Sequence, residues 1–362
     1  MEQVKNNKNL QHVDTSENKT YSWGLDLIRV IAMFFVVLVH ATTIYGFNDG
    51  FSSFPLFLSG ISRWLSHSCI PLFILLTGYL QSNKNPTWDY YIKLIKVLLE
   101  FFISGFVLAT LYWIFFDIQP NYWTLIGRMF IFDYPGYCWY INMYVGLFLF
   151  APFFNILYKA LSDKQKIILL ISLFVLLSCP QVSSYWGVAY PILYYFIGLF
   201  LKEKQFKINK WILVGVIIFA CLWQMLMMIV PLYGVESHSN VGCLVISVAI
   251  FLLFYDLKVK QNAKHKMRAA KVLRTIANAS IGTFLISQFF ESCNEVLFNK
   301  LALTTFAQKL PYLAYLTPIK FLISVVCGLV VSFIATWIYK LILLLINKIK
   351  NKKLASKQEK AS

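Results

Sequence analysis

Three ionisable residues in the first apolar stretch of the chain, Asp26, Arg29 and His40, have a spacing that chemistry can use. Ionisable groups inside a long apolar run are costly to hold and mark functional positions. On a helix, the 11 residues from Arg29 to His40 make three turns plus roughly 20°. Both side chains then point the same way, with a rise of roughly 16 Å between them. Asp26 precedes Arg29 by three residues, shares its face and can pair with it. A guanidinium grips phosphate or carboxylate oxygens in pairs and polarises a carbonyl. A neutral imidazole accepts a proton from a hydroxyl or itself carries a transferred group. Taken singly, Arg29 fits a snorkelling anchor and His40 a core histidine bonded to a neighbouring helix. Together on one face they make a polar lane.

Other apolar stretches carry polar groups of their own. Glu100 lies one turn after Lys96 and can pair with it. Gln288, Glu291 and Glu295, three and four residues apart, give their helix a polar face. His67, in Ser66-His67-Ser68, and His238, in an outer loop, read as surface histidines.

The elements that must hold these groups follow from composition. Of 362 residues, 59% are hydrophobic and only 14% charged, against about 25% charged in soluble domains. Lipid must cover that surplus. A spanning helix takes about 20 mostly apolar residues, and ten stretches qualify. They are Leu25–Phe47, Ile61–Leu80, Leu94–Phe116, Trp139–Tyr158, Ile167–Cys179, Val182–Leu201, Trp211–Pro231, Val241–Tyr255, Ile276–Phe298 and Leu316–Ile346. The fold class is therefore all-α, a polytopic integral membrane protein of about ten transmembrane helices. With both termini cytoplasmic, inner segments hold 27 Lys and Arg and outer segments 5, the latter including Arg63 and Lys320. That asymmetry is the positive-inside pattern, and it accounts for the net charge of +17 without nucleic acid. Residues 1–20 read as a disordered cytoplasmic N-terminus, 21–350 as the transmembrane domain and 351–362 as a basic cytoplasmic tail, disordered like the N-terminus. Lys258–Thr275 reads as the longest loop. The seven cysteines show no C-x-x-C pair and suggest neither a disulfide framework nor a zinc site.

Leu25-Asp26-Leu27-Ile28-Arg29, with His40 eleven residues after Arg29, resembles the opening motif of the membrane-bound acyltransferase type 3 family. Three further segments resemble that family in order. They are Pro71-Leu72-Phe73 to Thr77-Gly78-Tyr79, Trp139-Tyr140-Ile141 with Gly146-Leu147-Phe148 and Pro152, and Tyr194-Tyr195-Phe196-Ile197-Gly198. The chain departs from the pattern at Tyr137, where the family often has histidine, and at Ser287-Gln288, where it often has His-Pro. The chemical partner of His40 is then expected to be a carboxylate, an amide or water.

The resemblance implies an O-acyltransferase of a bacterial plasma membrane, moving acetyl or a related acyl group from cytoplasmic acyl-CoA to a hydroxyl of a cell-envelope sugar. Acetyl-CoA is the donor substrate and no bound cofactor is implied. The partners are the envelope glycan or lipid-linked sugar and the surrounding lipid. His40 and Arg29 take the catalytic roles. Asp26, Trp139, Tyr140, Glu100, Gln288 and Glu291 are candidates for binding acyl-CoA or acceptor, with Trp139 and Tyr140 also suited to interface anchoring. An exporter or flippase of a polysaccharide or lipid-linked sugar would use the same polar lane and stays open as the alternative.

Overall fold

A computed structural model of the protein describes residues 20–43, 53–178, 186–229, 238–260 and 263–359. The expected stretch 1–19 lies outside the described residues. A two-stranded antiparallel ribbon pairs β1 (Thr20–Ser22), before the first helix, with β2 (Lys258–Lys260), before the last three, in register Tyr21 to Val259. The helices are α1 (Gly24–Thr43), α2 (Phe54–Ser66), α3 (Cys69–Gln81), α4 (Trp88–Tyr91), α5 (Leu94–Phe116), α6 (Tyr122–Phe130), α7 (Cys138–Ala160), α8 (Asp163–Ser178), α9 (Tyr190–Lys204), α10 (Lys210–Ile229), α11 (Val241–Phe254), α12 (Lys264–Asn278), α13 (Ser280–Lys300) and α14 (Phe306–Glu359).

Each of the ten apolar stretches falls wholly or partly in helix, and the expected layout is revised at four places. The second stretch breaks at His67-Ser68 into α2 and α3. Ser66 and Ser68 donate to the Arg63 and Leu65 carbonyls, and Pro71 suits the first turn of a new helix because its missing N–H needs no partner there. The ninth stretch breaks at Ala279 between α12 and α13. The basic segment expected as a loop is mostly helix α12, rich in the helix formers Lys, Arg and Ala. The chain from Asn351, expected without structure, continues α14 to Glu359.

Five helical stretches are long and apolar enough to cross a membrane among the described residues: Gly24–Thr42, Trp88–Phe116, Cys138–Ala160, Lys210–Met227 and Phe306–Ile349. Helix α14 shows how lipid replaces water as the solvent. Leu322, Val326, Val330, Phe333 and Trp337 form an exposed stripe, with Phe333 at 74%, while Ser324, Gly328, Val331 and Ala335 face inward. In a water-soluble helix the large apolar residues would sit on the buried side.

Close helix crossings set the shape of the bundle. A Cβ on Gly78 would lie 2.2 Å from the Tyr195 carbonyl oxygen, and one on Gly198 would lie 2.4 Å from that of Leu75. The glycines of two sequence motifs thus let α3 and α9 meet backbone to backbone. Gly282 and Gly328 do the same for α13 and α14, with a Cβ on Gly282 only 3.0 Å from the Gly328 Cα. Close contact of this kind drives helix association in lipid. Gly198→Leu is expected to force α3 and α9 apart and to lower stability by about 1–3 kcal/mol or more. Thermal aggregation followed by size-exclusion fluorescence would show it, and an unchanged midpoint would refute it.

Basic segments are tied to one another at one end of the bundle. Lys166 pairs with Glu203 and Lys204 with Asp163, each at 2.9 Å. The Gly24 amide donates to the Leu257 carbonyl at 3.1 Å. These contacts join the start of α1 to the β2 segment and α8 to α9.

Candidate active site

Helix α1 is continuous from Gly24 to Thr43, so the periodicity argument for Arg29 and His40 holds in the fold. Asp26 is buried, and its carboxylate stands 3.7 Å from Arg29 Nη1. It also accepts the Tyr21 hydroxyl, which couples the β1 strand to the arginine. Arg29 is half-buried. Among the described residues its guanidinium makes that one ionic contact and no hydrogen bond, so its donors are available to an anion.

His40, near the other end of α1, is half-buried and stacked on Tyr137 with ring centroids 4.2 Å apart and planes 19° apart. Stacking fixes the ring face and leaves its edge alone. Neither ring nitrogen has a hydrogen-bond partner among the described residues. An imidazole held this way keeps both nitrogens for proton transfer or attack.

Helix α7 connects the two. Tyr137 immediately precedes it, and Tyr140 and Tyr144 follow at three and four residues, on the same face. Tyr137 lies on His40, while Tyr140 and Tyr144 both lie within electrostatic reach of Arg29. Helix α7 therefore runs antiparallel to α1, and a ladder of three phenols borders the lane from imidazole to guanidinium. Phe284 of α13 backs the ladder, 5.5 Å from Tyr137 and 5.1 Å from Tyr140. Tyr140, a sequence candidate, is a lane wall.

The remaining candidates divide between the two ends. Glu100 is buried on α5, with Lys96 Nζ at 3.6 Å and the Ser332 hydroxyl donating at 3.1 Å. It ties α5 to α14 and also faces Tyr144. At the His40 end, Glu291 is buried on α13 beside Tyr137 and Lys320. Gln288 lies beside Gly136, and its Oε1 has no hydrogen-bond partner among the described residues. The buried stripe of α13 runs through Phe284, Ser287, Glu291, Asn294 and Phe298, so Glu295 of the expected polar face is exposed and Asn294 is turned inward. Trp139, 41% exposed, stacks on His238 at 6.2 Å with an interplanar angle of 21°.

Two histidines read as surface groups are internal. His67 sits at the α2–α3 break and is buried, because the broken span turns its ring toward Trp64 and His238. His238 Nδ1 lies 3.1 Å from the His67 carbonyl oxygen, and burial pushes its imidazole down to about 4. Lys320 and His238 lie within electrostatic reach of His40. Lys320, counted among outer positive residues, is 4% exposed on α14.

The structure thus adds Tyr137, His238 and Lys320 to the sequence candidates and sets Tyr144, whose ring the sequence offers as a sugar-stacking face, in the lane wall. The tyrosines carried a visible signal, a three-and-four spacing. Lys320 carried another, an ammonium within the last apolar run. His238 lies outside every span and had none.

Fold and site together define a mainly helical membrane protein whose first long helix presents a guanidinium and an imidazole, neither hydrogen-bonded among the described residues, to a tyrosine-lined lane. A family model described as an acyltransferase domain matches residues 22–338, and the chain belongs to the acyltransferase type 3 family. No curated protein and no solved structure matches it.

Proposed function

We propose that this acyltransferase moves an acetyl or related acyl group from cytoplasmic acyl-CoA to a hydroxyl of a bacterial envelope sugar. The observation that carries this reading is the lane itself: among the described residues Arg29 and His40 lack hydrogen-bond partners, and Tyr137, Tyr140 and Tyr144 join them. A transferase needs an anion grip for the donor and a proton acceptor for the hydroxyl, separated by the length of the donor's arm. The roughly 16 Å rise between the two residues suits a pantetheine chain.

In this reading the ten-stretch topology places both termini, the ribbon of β1 with β2 and α12 inside the cell. Helix α12 and β2 carry Lys258, Lys260, Lys264, Lys266, Arg268, Lys271 and Arg274, which raise the local concentration of a polyanionic donor. Arg29 takes a donor phosphate, which leaves the thioester at the His40 end. His40 accepts the acceptor's hydroxyl proton as the oxygen adds to the acyl carbon. Collapse of the tetrahedral adduct expels the CoA thiolate, which recovers a proton. Trp139, exposed and stacked on His238 with one face, offers the other to the sugar.

Membranes containing the protein should move label from [acetyl-14C]acetyl-CoA into glycan and release free CoA. A sugar exporter would leave the label on CoA, and that result would refute the transferase reading.

A further inference from the structure

We propose that Lys320 is a catalytic residue of this transfer, its ammonium stabilising the oxyanion that forms at the acyl carbonyl beside His40. The inference rests on the acyl-transfer reading above and adds to it a residue outside the four family-like motifs.

Lys320 has the burial and the address for this role. It is 4% exposed, and among the described residues its Nζ has no hydrogen-bond partner. A buried ammonium with three unused donors is costly unless something occupies them. The helix geometry points it at the reaction. The α13–α14 crossing at Gly282 and Gly328 fixes the register of the two helices. Glu291 lies nine residues beyond Gly282, and Lys320 lies eight before Gly328. At about 1.5 Å per residue those are rises of about 13.5 and 12 Å, so the two sit at the same level of the helix pair, with Glu291 the carboxyl neighbour of Lys320. Helix α14 also meets α1 one residue later, where Phe321 stands edge-on to Phe34 at 5.4 Å. Phe34 is six residues, or about 9 Å of rise, from His40. The lysine's long stem covers part of that height, and its charge reaches His40.

The charge pattern matches what acyl transfer requires. Attack of an acceptor oxygen on the thioester carbon forms one C–O bond and moves the carbonyl π pair onto oxygen. The hydroxyl proton passes to His40. An ammonium beside that oxygen stabilises the new negative charge in a water-poor setting. When the C–S bond breaks, the pair returns to the carbonyl and thiolate leaves. Glu291, beside Lys320, balances the ammonium in the resting protein.

The test compares wild type, Lys320→Met and Lys320→Arg, purified in detergent, with acetyl-CoA and the glycan that wild type labels. Methionine keeps the stem without the charge. Lys320→Met should lose about 10²–10³-fold in kcat, with both KM values within about 3-fold and an unchanged thermal midpoint. Lys320→Arg should recover at least about 10-fold of that loss, which a packing defect would not do. A kcat within about 3-fold of wild type, a loss confined to KM, or no recovery by arginine would each overturn the assignment while leaving the transferase reading intact. If wild type transfers no label, the transferase reading itself fails and this assignment falls with it.

Discussion

His40→Ala is expected to cut acyl transfer by at least about 10³-fold while the protein still inserts and purifies as wild type does. General base catalysis contributes about 10²–10⁴-fold, and no other imidazole in the described structure stacks where His40 does. His67 and His238 stand nearby, but the His238 Nδ1 edge is engaged at the His67 carbonyl. The substitution should cost the fold little. Alanine favours helix, the residue is half-buried, and what is lost is a stack on Tyr137 worth about 0.5–1.5 kcal/mol. Loss of activity with a retained thermal midpoint therefore reports chemistry. His40→Gln sharpens the result, because an amide makes hydrogen bonds yet takes no proton at neutral pH. A second readout separates the two roles of the imidazole. If His40 carries the acyl group, denaturing the enzyme with labelled donor and no acceptor leaves label on the chain, and His40→Gln abolishes that label. If His40 is only a base, no label stays. More than about 10% of wild-type activity in inserted His40→Ala would end both versions.

The parts of this site legible in the sequence are those that a single helix carries. Asp26, Arg29 and His40 lie on α1, where 3.6-residue periodicity alone fixes their mutual direction, and the fold keeps them on one face with Asp26 beside Arg29. The apolar stretches were legible for the same reason, since lipid imposes a length on each helix. What depended on packing between helices was not. His67 looked exposed because the break at Ser68 was hidden inside an apolar run, and the break is what turns the ring inward. Glu295 and Asn294 exchanged roles because neighbours, not spacing, decide which flank of α13 is covered. Lys320 counted as an outer charge because the positive-inside rule weighs loops and ignores what a buried lysine meets. Tyr137, a departure from the family pattern, became intelligible only in three dimensions: a flat phenol supports the His40 ring.

Arg29→Ala is expected to lower kcat/KM for acyl-CoA by about 10²–10⁴-fold, and Arg29→Lys to recover only part of it. The size follows from the bonds at stake. A hydrogen bond to a charged group contributes about 1.5–3 kcal/mol, and a guanidinium supplies two in parallel to one phosphate or carboxylate. Lysine keeps the charge and loses the fork, so a loss of at least about 10-fold should remain. The fold has little claim on this side chain: its one described ionic partner is Asp26 at 3.7 Å, longer than a hydrogen bond. Asp26→Asn should therefore give a smaller loss than either arginine variant, since it disturbs the aim of the guanidinium and leaves its donors in place. The donor can be varied to locate what Arg29 holds. An acyl-pantetheine thioester carries the reacting carbonyl and no phosphate. If Arg29 grips a phosphate of CoA, wild type and Arg29→Ala should use that truncated donor at rates within about 3-fold of each other. If Arg29 polarises the carbonyl, the full deficit should persist with it. An Arg29→Ala enzyme as efficient as wild type with intact acyl-CoA would leave the guanidinium as an anchor at the membrane surface and remove the donor end of the lane.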